Sequence, residues 1–126
     1  MKNENKLKSI LRLKDADEFL TSSKDNLDSG RFKASLDHAI DAVIAANDAF
    51  TIHFVEQIAS ADHREAVALH KLAGQKISEN KANDLLELLE ERHRKTYRSV
   101  SVNKDLAELM LKKAARFLNW VKDKIK

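Results

Sequence analysis

Residues 23–50 read SKDNLDSGRFKASLDHAIDAVIAANDAF, and the fold turns on how this stretch is divided. Asp28-Ser29-Gly30 ends one helix, because glycine takes the left-handed conformation that closes a helix and turns the chain back. From Arg31 a second helix starts, with Phe32, Leu36, Ile40, Val43, Phe50, Phe54 and Ile58 at the helical period as far as about Ala59. Ala34, Ala39, Ala42, Ala45, Ala46 and Ala49 keep one flank thin, so that a neighbouring helix backbone can come close. Asn47 falls among the apolar positions of the same helix and reads as a buried polar contact between helices or subunits that specifies packing.

On the N-terminal side, Leu7, Ile10, Leu11, Phe19, Leu20 and Leu27 suggest an amphipathic stripe on a long helix over about Asn3 to Ser29. On the C-terminal side, Asp62 with Glu65 makes a capping box for a short helix that Gly74 ends. Ser78 or Asn80 then caps a helix carrying Leu85, Leu86, Leu88 and Leu89 into the basic stretch Arg92-His93-Arg94-Lys95. Asn103 caps a last helix, on which Leu106, Leu109, Met110, Ala114, Phe117, Val121 and Ile125 trace an apolar stripe. Four long helices, short connections and one shorter helix predict an all-α fold: an antiparallel up-and-down four-helix bundle with one extra short helix, a single domain over residues 1–126.

Composition narrows the function. The chain has no cysteine, which removes disulfides, thiolate metal sites and cysteine nucleophiles and fits a reducing, cytoplasmic setting. Proline is absent and glycine occurs twice, leaving little material for hairpin turns. No apolar run is long enough for a signal peptide or a membrane span, so no membrane association is expected. Charged residues make up 34% of the chain for a net charge of +3, so both signs are mixed and only a local basic cluster argues for an anionic partner.

That cluster is Arg92-His93-Arg94-Lys95-Thr96-Tyr97-Arg98. Guanidinium groups bind phosphate through paired donors and a tyrosine ring offers a face for stacking, although basic residues also gather at helix ends to complement the macrodipole. Glu90 and His93 form one Glu-x-x-His motif of the kind that holds metal pairs in bundles, but a second copy is missing; His63 and His70 lie about 10 Å apart along a helix, too far for one ion. No metal or other cofactor is expected. Asp37, Asp41 and Asp48 share one side of the second helix with His38 next to the first, and read as a solvated or salt-bridged stripe without a nucleophile.

Residues 23–50 together resemble the helix, glycine turn and alanine-rich helix that open HEPN domains, the higher-eukaryote and prokaryote nucleotide-binding fold. LLELLEERHRKTY over Leu85–Tyr97, followed by a final helix ending FLNWVKDKI, resembles that family's second half. The resemblance implies a helical bundle that commonly forms a homodimer and often accompanies a small nucleotidyltransferase, in many cases as a toxin and antitoxin pair. It further implies metal-independent ribonuclease activity in members that carry an Arg, four to six intervening residues and a His after the fourth helix.

Arg92 matches the Arg of that motif, whereas Tyr97, Arg98 and Ser99 occupy the places where its His would stand. A tyrosine, with a reference pKa of about 10, is a poor base near neutrality, so no catalytic residue is assigned. Arg31 to His38 and Arg64 to His70 satisfy the spacing by counting, but both lie in helices away from the motif's location and are set aside. The expectation is a non-catalytic module in which Arg92, Arg94, Tyr97 and Arg98 bind nucleotide or RNA, or which engages a nucleotidyltransferase. The alternatives are a divergent ribonuclease that borrows a histidine from elsewhere and a purely structural dimeric interaction bundle.

Overall fold

The computed structural model of the chain describes residues 3–59, 62–97 and 101–126. It is all-helical: α1 spans Asn3–Asp28, α2 Phe32–Val55, α3 His63–Gln75, α4 Ala82–Tyr97 and α5 Lys104–Ile125, with no strand among the described residues. No helix among them is long and apolar enough to cross a membrane.

The joints follow the local chemistry. Gly30, at φ 78°, closes α1 in a Schellman motif, in which its own N–H reaches the Leu27 carbonyl and that of Arg31 reaches Asn26. Asp62 Oδ1 accepts from the Arg64 N–H at 2.8 Å, Asn80 Oδ1 from Ala82 at 3.0 Å and Asn103 Oδ1 from Leu106 at 2.9 Å, so three helices start on side-chain caps. Two expected ends differ. Helix α2 stops at Val55 instead of near Ala59, because Glu56 turns left-handed (φ 56°) and its N–H returns to the Ile52 carbonyl; Ile58, expected on the apolar stripe, is exposed. Gly74 lies within the last turn of α3, and the left-handed residue of the following turn is Ser78. Glycine is needed at 74 for room, since a Cβ there would stand 2.6 Å from the Glu79 carbonyl oxygen.

Helix α2 meets each of the other four helices and supplies much of the core, including the fully buried Leu36, Ile40, Val43 and Phe50. Its closest companion is α1, and here the expected apolar stripe holds only in part: Phe19 and Leu20 pack against the core, but Leu7, Ile10 and Leu11 are about half exposed, and the fully buried positions of α1 are Ser9, Ala16 and Ser23. These recur every seven residues, as do Ala49, Ala42 and Ser35 on α2. The Ser9 hydroxyl donates to the Ala49 carbonyl at 2.9 Å and the Ser23 hydroxyl to the Ser35 carbonyl at 2.7 Å, with the fully buried Ala16 and Ala42 midway in the same register. Contacts climb α1 as they descend α2, so the pair is antiparallel and its seam is made of small residues.

A second device ties α2 to α3 and to the start of α4. His70 is fully buried among the rings of Phe50, Phe117 and Trp120. The Lys81 N–H must donate, so His70 Nε2 accepts it (2.8 Å); the ring proton therefore sits on Nδ1, which donates to Asn47 Oδ1 at 2.8 Å. Asn47 Nδ2 in turn reaches the Ala66 carbonyl at 3.4 Å. Asn47 is thus the buried interhelical contact expected of it. Burial pushes the His70 pKa down to about 4, since a second ring proton would be both desolvated and aimed at an N–H.

Ala16→Leu should cost about 1–3 kcal/mol by overfilling the α1–α2 seam, whereas Ile10→Ala should stay within about 0.5 kcal/mol in urea denaturation of the monomer; the reverse order would restore the leucine-stripe reading. A histidine whose folded pKa lies below its unfolded 6.5 adds stability above pH 6.5 that is lost as pH falls toward 4. His70→Gln removes that titration, so its stability deficit against the native chain should shrink by about 2 kcal/mol between pH 7.5 and 4.5. A deficit independent of pH would exclude His70 as the titrating group.

Candidate functional site

Helix α4 runs antiparallel to α2, with its start held at the His70 network and its far end beside the first half of α2. Arg92 sits near that end, about three-quarters buried. Its Nη2 donates to Asp41 Oδ1 at 2.6 Å and to the Asp37 backbone carbonyl, while Nε lies 3.8 Å from Asp37 Oδ1. Asp37 and Asp41 are one turn apart on α2, so their carboxyl groups point to the same side and share one guanidinium. The stripe read from the sequence is therefore salt-bridged, and its members serve different neighbours. Asp48 takes Arg12 of α1, at 2.9 Å, and burial raises its carboxyl above the usual range despite that partner.

His38 borders the same face. It lies three residues from Asp41, hence beside it on the helix surface, and its Nδ1 is hydrogen-bonded to the Ser22 hydroxyl while its ring edge meets Phe19. Along the open side of α2, Ser22, His38, Asp41 and Arg92 thus form a continuous polar strip drawn from α1, α2 and α4. Arg12 and Asp48 extend it toward the opposite end.

Of the four residues expected to bind an anion, the structure fixes Arg92 alone. The backbone of Arg94 and Tyr97 belongs to α4, but the side chains of residues 93–97 and the whole of residues 98–100, Arg98 included, lie outside the described residues. Arg92 itself faces inward, against two carboxylates, and its charge is offset by them. Among the described residues no three His, Cys, Asp or Glu side chains are placed to hold a metal ion. His70 is committed to the core and His63 lies a full seven residues away at the start of α3.

In the sequence Arg92 stands 51 and 55 positions from Asp41 and Asp37, and nothing local signals their pairing. The available signal was their chemistry alone: carboxylates at i and i+4 on a largely buried helix require a cationic partner from another element.

Arg92 and Asp41 should show a coupling of about 1 kcal/mol in a double-mutant cycle of Arg92→Ala and Asp41→Ala, read by urea denaturation, with the partial exposure of both groups keeping it from being larger. Additive single effects would mean that the pair does not anchor α4.

A comparison with protein-family models matches residues 11–124 to the HEPN domain. No curated protein matches the chain.

Proposed function

We propose, from the premise that the chain belongs to the HEPN family, that it is a non-catalytic binding module whose basic run at the end of α4 takes nucleotide or RNA. The observation that carries this reading is the anchoring of Arg92. With its guanidinium committed to Asp41 and Asp37, Arg92 acts as the positioning residue that holds the end of α4 against α2, and Arg94, Tyr97 and Arg98 are left to meet the ligand. Two guanidinium groups and a ring suit a phosphate with an adjoining base.

The finer architecture belongs to the same proposal. The long helices α1, α2, α4 and α5 form an antiparallel four-helix bundle with α3 as the extra short helix; contacts between α1 and α2, α2 and α4, α4 and α5, and α5 and α1 support that square. The exposed Leu7, Ile10 and Leu11 of α1 support a homodimer. A small nucleotidyltransferase partner, a toxin–antitoxin role and a cytoplasmic setting are further parts of the reading, resting on family membership and on the absence of cysteine.

A second reading, a divergent metal-independent ribonuclease, is favoured by the position of His38. It supplies an imidazole three residues from Asp41 on α2, whereas the family spacing after Arg92 supplies none. Histidine is the side chain most often used as a general acid or base.

Fluorescence anisotropy with a short labelled RNA separates the readings. An Arg94→Ala, Arg98→Ala double variant should bind at least ten-fold more weakly and with a shallower salt dependence, since each phosphate contact on a single strand contributes about 0.7 to the logarithmic slope. Unchanged affinity would remove the binding reading. RNA incubated with the protein in EDTA should remain intact; cleavage abolished by both Arg92→Ala and His38→Ala would instead establish the ribonuclease.

A further inference from the structure

Well away from the basic run, about 15 Å back along α4, a groove of about 440 Å³ lies open between the start of α4 and the middle of α5. Its floor is apolar: Leu88 and Phe117, both nearly fully buried, and the half-buried Trp120. The indole is held in place from behind. Its N–H donates to Glu79 Oε1 at 2.8 Å, and its ring packs against Phe50 and Phe117 at centroid distances of 5.0 and 6.3 Å. Glu79 is itself held by the Lys124 ammonium at 2.9 Å. With its one polar atom spent, what Trp120 presents to the groove is a preorganised π surface.

The rim carries unequal charge. Lys113 pairs with Glu87 across the groove, joining α5 to α4. Lys81 and Arg116 line the same opening, and neither has an ion-pair partner among the described residues; the remaining acidic lining residue is Asp84, and Glu79, which also acts on Lys81 at longer range, is already paired with Lys124. A surplus of one positive charge therefore faces an aromatic floor. An anion without a ring would leave that floor wet, and a neutral ring would leave the surplus positive charge unmatched. A volume of this size holds one ring system with one acidic group, within the range of small-molecule sites and too small for a strand of nucleic acid.

We infer that this groove is a binding site for a planar aromatic molecule carrying a phosphate or carboxylate group, with the ring laid on Trp120, which Phe117 supports from below, and the acidic group held by Lys81 and Arg116. Arg116 offers paired donors to the acid, and Lys81 a second point charge. The site shares no residue with the Arg94, Tyr97 and Arg98 run, so it stands or falls independently of the function proposed above.

Trp120 is the only tryptophan in the chain, which makes its fluorescence and its indole N–H resonance specific reporters of this groove. The intact chain is titrated with phenyl phosphate as probe, and with phenol and inorganic phosphate as its two halves; benzoate serves as the carboxylate arm. Saturable change at Trp120 is expected with phenyl phosphate or benzoate, at concentrations at least ten-fold below those needed for phenol, and none with inorganic phosphate. A Lys81→Ala, Arg116→Ala double variant, altered only at the rim, should weaken binding five-fold or more, Arg116→Lys should recover part of it, and Arg94→Ala should leave it unchanged. Three results would overturn the inference: no saturable response to either acid, phenol binding as tightly as phenyl phosphate, or a response lost in Arg94→Ala but kept in the double variant. The last would place the ligand on the basic run. RNA binding that persists in the double variant would show that the two sites are separate.

Discussion

The close approach of α1 to α2 is the constraint on which the remaining packing depends. Ser9, Ala16 and Ser23 meet Ala49, Ala42 and Ser35 at matched seven-residue intervals, and at either end of the seam a serine hydroxyl bonds a carbonyl of the facing helix. Small side chains let two backbones lie near one another, gaining dispersion contacts along the whole length instead of at a few large knobs. With one flank so thin, the large residues of α2 are free for the other side. Leu36, Ile40, Val43 and Phe50 turn toward α5, α4 and α3, and a single helix becomes the shared wall of the core.

Hydrophobic contact alone would leave α3 and the start of α4 free to slide on that wall. The His70 network removes this freedom with directional bonds, because Asn47 on α2, the ring on α3 and the Lys81 N–H ahead of α4 must all be in place for each polar atom to be satisfied. A buried polar set of this kind contributes little net stability when complete and costs much when broken, so its effect is to select one register. The same ring abuts Trp120, so the element that fixes where α4 begins also backs the floor of the α4–α5 groove. Gly74 belongs to this construction, since the α3–α4 turn folds back against it too closely for any side chain.

The parts legible in the sequence are those encoded locally. Gly30, Asp62, Asn80 and Asn103 act within three or four residues of themselves, and each ends or starts a helix where its chemistry indicates. The first half of α1 misleads because its most buried positions are serine and alanine, so an apolar count assigns the core to Leu7, Ile10 and Leu11, which face outward, as well as to Phe19 and Leu20, which do reach it. The end of α2 is hidden for a related reason: Glu56 adopts a left-handed conformation that glycine or asparagine would have announced. Interhelical partners are invisible to any local rule, and Arg92 reached Asp41 across 51 positions of chain. The groove had a faint signature, since Lys113, Arg116, Phe117 and Trp120 share one face of α5 at the spacing of successive turns, two cations beside two rings.

Arg92 shows why a residue that fits a family position need not do there what its type suggests. A guanidinium free in solvent attracts phosphate; one that already donates to a carboxylate and a carbonyl must give up those bonds first, leaving Asp37 and Asp41 facing each other on a half-buried surface. With Asp37 and Asp41 against it, Arg92 draws an approaching anion less strongly than a lone arginine would. Its advantage is mechanical. By fixing the last turns of α4 to α2 it restricts the backbone from which the rest of the basic run departs, so that any ligand taken there, as proposed above, would cost less in conformational entropy.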